Sequence, residues 1–236
     1  MAKETERTYT PWQKFPQKSK QTEYTEPVKM LDDDGNLLVK GWARKNVFDY
    51  DRTKVKPQMR GKEWDFYQLS DGKMMVQISF ANISMGGYAS AAIIDLKNGK
   101  LIKNQTALFL GGKNKYVLPP KGDVPNVVDI SVGGARFFID TKENTRTLYF
   151  KMKNVECNFE MDIFDNHENI TTVLPFEGEP TRFFMTTKQN CMPCSGTYKL
   201  GDKVYEFSKD DTFCSLDWGR VNTKHRLVWY WGNGST

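Results

Sequence analysis

No stretch of this sequence carries apolar residues at sustained three- and four-residue intervals, so it offers no amphipathic helix from which to build a core. Nor does any apolar run approach the ~20 residues that a membrane-spanning helix needs. The opening MAKETERTYTPWQKF has charges but no apolar centre of the kind a secretory signal carries. This predicts a cytoplasmic protein without a transmembrane segment, in which the sequons at Asn82, Asn104, Asn169 and Asn233 are chance matches. A strong net charge is missing as well. Thirty-four basic residues face 29 acidic ones, and the excess of +5 is scattered rather than gathered into a stripe with stacking aromatics. That argues against nucleic acid as a partner.

The usual chemical signatures are also missing. There are only two histidines, His167 and His225, and HENIT lacks the second histidine of a zinc protease motif. GGYAS, GGKNK and GGARF fit neither a dinucleotide-binding nor a phosphate-binding glycine loop, and no nucleophilic-serine signature occurs. No cofactor and no metal is expected. The four cysteines are Cys157, Cys191, Cys194 and Cys214. The Cys191–Cys194 CxxC reads as structural thiols, as half of a zinc site, or as a redox pair. It has no second CxxC to complete four ligands, and no βαβ setting.

What the chain has in plenty is period two and large rings, with 13% aromatic residues against 39% hydrophobic overall. KEWDFYQLSDGKMMVQISF reads as a hairpin about Asp71-Gly72, with Trp64, Phe66 and Gln68 on one face and Asp65, Tyr67 and Leu69 on the other. Asn98-Gly99 marks a second hairpin, and Glu143-Asn144 a turn between two further strands. In TLYFKMK and NFEMDIF the alternation continues. Gly111 to Asn126 reads as a loop rich in glycine, proline and lysine. Many short strands with frequent turns predict an all-β antiparallel protein whose meander closes into a barrel. The expected organisation is a polar, proline-broken tail over 1–27, a first β-barrel or sheet over 28–180, and the start of a second barrel over 181–236.

The strings GWARKNVFDYDR, KEWDFYQLSDG, KQNCMPCSGTYKLGDKVYEF, DTFCSLDWGR and WYWGNG, in this order, resemble the bacterial domain of unknown function 2804 family from about Leu31 onwards. That family is distantly similar to lipocalin-like proteins of the carotenoid 1,2-hydratase type. The resemblance implies a calycin-like barrel, the first of two, in a chain that looks shortened at its C-terminal end. Two departures are Cys194, where a small residue is common, and Val221, where a further glycine is common.

Two motifs are the candidates for chemistry. Asp217-Trp218-Gly219-Arg220 reads as a glycine-marked bend where Arg220 pairs with Asp217, either holding a ligand or locking a barrel corner. Glu63-Trp64-Asp65 places two carboxylates on one side of a strand, either as a coupled acid pair or as a solvated face. The two motifs are expected to frame the same barrel end, with Arg44 or Arg220 as the guanidinium partner. Asp217, Asp65 and Glu63 are thus the candidate acids. Trp64, Trp218, Arg220, Tyr50, Arg44, Asn190 and His225 are the candidate ligand contacts. The leading expectation is a protein that binds a small apolar or amphipathic ligand such as a lipid or isoprenoid. The alternatives are a hydratase or isomerase that protonates an alkene, and a structural or partner-binding protein.

Overall fold

The structure, a computed structural model, describes residues 22–110, 116, 118–163, 169–224 and 231–232. It is all-β, as the alternation predicted. The strands are β1 Val28–Lys29, β2 Gly41–Ala43, β3 Phe48–Asp49, β4 Gly61–Ser70, β5 Met74–Asn82, β6 Gly86–Asp95, β7 Lys100–Leu110, β8 Asn126–Val132, β9 Ala135–Thr141, β10 Thr145–Met152, β11 Val155–Asp162, β12 Ile170–Phe176, β13 Glu179–Leu200, β14 Lys203–Phe207 and β15 Phe213–Asn222. The only helical pieces described are two 3-10 turns, Arg52–Lys54 and Gln58–Arg60.

Two meanders supply most of the main sheet, which runs β7-β6-β5-β4-β15-β13-β11-β10-β9-β8. The hairpins about Asp71-Gly72, Asn98-Gly99 and Glu143-Asn144 form where the turn signals placed them. The meanders are joined by β15, which inserts between β4 and β13, while β13 in turn lies beside β11. The sheet curls so that rings from distant strands meet inside. Phe80 on β5 stacks on Phe137 of β9 at 5.4 Å and on Phe109 of β7 at 5.6 Å. A fully buried ring of this kind contributes roughly 1.5–3 kcal/mol over an exposed one. At the seam the β8–β9 turn comes close to β7: a Cβ on Gly133 would lie 3.1 Å from Ala107. No ladder joins β7 to β8 among the described residues.

The long strand β13 has 22 residues and serves both halves of the sheet. Its first half lies between β12 and β15, and its second half between β11 and β14. The change occurs at a bulge between Gln189 and Met192, where Cys191 takes a positive φ of 58°. The Cys-Met-Pro-Cys run therefore begins at a bulge within a strand and continues in register with its neighbours. An extra residue lets the strand bend while pairing continues on either side. Segments before and after position 180 share this sheet, since β15 pairs with β4 over ten positions.

Of the tail predicted over 1–27, residues 22–27 pack on the domain. Trp42 donates to Thr22 O, Tyr24 donates to Trp42 O, and the Tyr24 ring meets Phe48 at 5.3 Å. Trp12 and Phe15 lie outside the described residues. Among the described residues no helix is long and apolar enough to cross a membrane.

Candidate functional site

Strand pairing brings the two motifs together and strand parity divides each of them. In the β4–β15 ladder Asp65 faces Trp218, Trp64 faces Gly219 and Glu63 faces Arg220. Opposed residues of an antiparallel pair project to one side, and alternate residues to the other. Glu63, Asp65, Trp218 and Arg220 thus point into the core, whereas Trp64, Phe66 and Asp217 point outwards. The Asp-Trp-Gly-Arg run is the middle of a straight strand rather than a bend. Asp217 and Arg220 lie on opposite faces, so the ion pair expected between them is replaced by two separate ones.

On the inner face Arg220, 0% exposed, pairs with Asp65 at 3.0 Å. It also donates to Pro119 O at 2.7 and 3.2 Å, to Trp64 O and to Gly219 O, and its guanidinium lies 4.0 Å from the Trp218 ring centroid. Glu63, equally buried, accepts from the Tyr50 hydroxyl at 3.2 Å and from Leu118 N–H at 3.1 Å, with Arg52 Nη1 at 3.9 Å. Burial, and after it the Glu63 charge, holds the Tyr50 phenol well above its ordinary value. The solvated strand face read for Glu63 and Asp65 is thus corrected: period two put them on the core side with Tyr67 and Leu69, and arginines compensate their burial.

A third arginine, Arg146 on β10, is also fully buried. It donates to Thr141 Oγ1, to Gln189 Oε1 and to Gly122 O, and lies 5.7 Å from the Tyr67 ring centroid. Tyr116 and residues 118–123 cross this end of the sheet as a strap. Its backbone is held by buried polar side chains at four points: Tyr116 O by Asn82, Leu118 N by Glu63, Pro119 O by Arg220 and Gly122 O by Arg146. Gly122 lies against Trp218, where a Cβ would come within 3.0 Å of the indole. A groove of about 710 Å³ runs beside the strap along β8, lined by Leu118, Pro119, Val128 and Ile130 among others.

The outer face is different in kind. Asp217, 7% exposed, receives Trp64 Nε1–H at 3.2 Å and Thr186 Oγ1–H at 3.4 Å on Oδ1, and Trp231 Nε1–H at 2.6 Å on Oδ2. Lys188 forms a short ion pair with the same carboxylate. Phe184 packs on Trp64 at 5.8 Å and Phe66 on Trp231 at 6.3 Å. Gly219 makes this possible, because any side chain there would collide with the Trp64 indole that crosses over it. The result is a half-open aromatic surface with one carboxylate and one ammonium at its centre.

Other predicted contacts lie elsewhere. Arg44 is exposed, pairs with Glu23 at 3.3 Å and stacks on Trp42. It is Arg52, with Arg220, that supplies guanidinium to the paired carboxylates. Asn190 adjoins the β13 bulge, with its Oδ1 buried and without a partner among the described residues. His225 and His167 lie outside the described residues. Cys191 is exposed, while Cys157, Cys194 and Cys214 are buried and unpaired. Burial pushes Cys157 and Cys194 up to about 12. Arg146, Lys188, Thr186 and the strap went unmarked. Parity was the available signal for Arg146, which alternates inward with Leu148, Phe150 and Met152.

Residues 21–236 match the family model described as Domain of unknown function (DUF2804), and the chain belongs to that family. No curated protein sequence matches it. Among solved structures it is similar to kievitone hydratase from Nectria haematococca, at 13% identity and a TM-score of 0.47, covering 86% of this chain and 58% of that one. It is also similar to a protein described as an AttH from Nitrosomonas europaea, at 14% identity and a TM-score of 0.44, covering 72% and 56%. The chain thus spans little more than half the length of these two structures.

Proposed function

We propose that this member of the DUF2804 family binds a small amphipathic molecule on the outer aromatic face, with Asp217 and Lys188 meeting its polar head. Trp64, Phe66 and Phe184 would carry its apolar body. The observation that supports this reading is the setting of Asp217, a nearly buried carboxylate inside an aromatic surface that remains half open. Trp231, 47% exposed, holds Oδ2 through its indole N–H, and a ligand hydroxyl or ammonium could take that place. Aromatic surfaces with a few fixed polar groups suit lipids and isoprenoid alcohols, whose binding is mainly burial oriented by one or two hydrogen bonds.

Acid chemistry on an alkene is less well supported. It requires a carboxyl facing a substrate, and Glu63 and Asp65 instead face arginines and the strap backbone. Native mass spectrometry of freshly purified protein tests the binding reading, followed by titration with farnesol as an isoprenoid alcohol. A bound molecule or farnesol affinity that drops at least tenfold in Asp217→Asn, the loss of about one charged hydrogen bond, and in Trp64→Ala, the loss of an apolar wall, is expected. Undiminished binding in both variants, or no binding by the wild type, overturns the reading.

A further inference from the structure

The inner face holds three buried guanidiniums, Arg52, Arg146 and Arg220, against two buried carboxylates, Glu63 and Asp65. Arg220 takes Asp65 and Arg52 lies against Glu63. Arg146 has no carboxylate within ion-pair distance among the described residues. Its hydrogen bonds go to a hydroxyl, an amide and a backbone carbonyl, with Met192 Sδ 3.9 Å away. The acid nearest along the strap, Asp123, accepts the Asn46 N–H on Oδ2. A fully buried cation without a counter-charge is costly, and no described carboxylate lies within ion-pair distance of Arg146, although Asp123 Oδ1, next along the strap, is itself buried and unpartnered among the described residues.

A second orphan sits beside it. Trp218 Nε1–H is buried and has no acceptor among the described residues. Gly122 links the two: its carbonyl is the one Arg146 holds, and its Cα side lies against the Trp218 indole. A guanidinium and an unused indole N–H thus converge on one glycine of the strap, with the Arg220 guanidinium stacked on that same indole. Both groups can only donate. The strap carbonyl satisfies part of the first and none of the second.

We propose that this is an anion site covered by its own lid. The carboxylate of an acyl-chain ligand displaces Gly122 O from Arg146, takes the Trp218 N–H with its second oxygen, and supplies the missing negative charge. Carboxylate suits a planar guanidinium because its two oxygens match the donor fork. The acyl chain lies in the groove of about 710 Å³ along β8, whose Leu118 and Pro119 belong to the strap that moves. The site is on the opposite face from Asp217 and does not rest on the outer-face reading.

The test is calorimetric titration of the whole chain with dodecanoate and with its neutral amide, in the wild type and in Arg146→Met. Dodecanoate should bind and the amide should bind about tenfold to a hundredfold more weakly, the range for a charge-assisted hydrogen bond. Arg146→Met should lose that preference while farnesol binding on the other face is unchanged. Equal binding of acid and amide by the wild type overturns the proposal, and so does full dodecanoate affinity in Arg146→Met. If Arg146→Met fails to fold, Arg146→Lys decides: it keeps the charge and loses the planar fork, so affinity for dodecanoate should fall while the acid remains preferred over the amide. An unchanged affinity in that variant overturns the carboxylate geometry. Acetate or inorganic phosphate binding as tightly as dodecanoate would overturn the acyl-chain assignment.

Discussion

The two faces of β4 and β15 carry similar residues and put them to opposite uses. Inside, carboxylates and arginines are buried together and tied to the strap, so the polar groups close the end of the sheet. Outside, a carboxylate and a lysine sit within aromatic rings that solvent still reaches. Glu63-Trp64-Asp65 and Asp217-Trp218-Gly219-Arg220 each contribute to both faces. A motif contiguous in sequence is therefore two half-motifs in space whenever it lies on a strand. The carboxylate that matters to a given arginine is the one across the ladder, not the one three residues away.

The largest effect expected from this contrast is on the inner side. Replacing Asp65 by alanine leaves Arg220 buried without its counter-charge, and should destabilise the fold by about 3–5 kcal/mol in urea denaturation. Gly219→Ala should cost about 1–3 kcal/mol, because a methyl group would strike the Trp64 indole. It should also disturb the outer face alone, seen as changed indole fluorescence with dodecanoate binding intact. Asp217→Asn should cost about 1–2 kcal/mol, since its donors are near the surface and can turn to water. Lys188→Met should cost under about 1 kcal/mol, its side chain being 29% exposed. If Asp217→Asn destabilised as much as Asp65→Ala, the distinction between a closing face and an open face would fail.

Much of this architecture was legible. Period two placed Glu63, Asp65, Tyr67 and Leu69 on one side, and the Asn98-Gly99 and Asp71-Gly72 turns gave the hairpins. The indole-and-carboxylate character shared by the two motifs suggested that they frame one barrel end or cavity, but not that Trp64 and Trp218 lie on adjacent strands. What the sequence could not reveal was register. Strand parity separates Arg220 from Asp217, but that Arg220 meets Asp65 depends on which strand lies beside β15, and β4 is more than 140 residues away in the chain. The strap was equally hidden, because its contacts use backbone groups of Leu118, Pro119 and Gly122 that carry no side-chain signature. Arg146 was legible in principle: an arginine in phase with Leu148 and Phe150 is either an error of parity or a buried charge with a task.

The smallest effect sharpens the same contrast on β13, where the bulge separates an exposed thiol from a buried one. Cys191→Ser should change stability by less than about 0.5 kcal/mol, as surface substitutions do. Its thiol should react with Ellman's reagent within the mixing time of a stopped assay, whereas Cys157, Cys194 and Cys214 should react only on unfolding, because thiolate must form first and burial opposes it. The sign of the pH dependence follows. A buried thiol whose folded value is raised stays protonated in the native state while the unfolded chain ionises. The stability this represents is complete below the ordinary value of 9.0 and is lost as pH climbs towards about 12. Native protein should therefore release the three slow thiols increasingly fast above pH 9, as global unfolding becomes easier, while Cys191 is already spent. Rapid release of Cys194 at neutral pH, together with Cys191, would mean that the strand opens locally at the bulge, and the division between the two faces would then stop at Gln189.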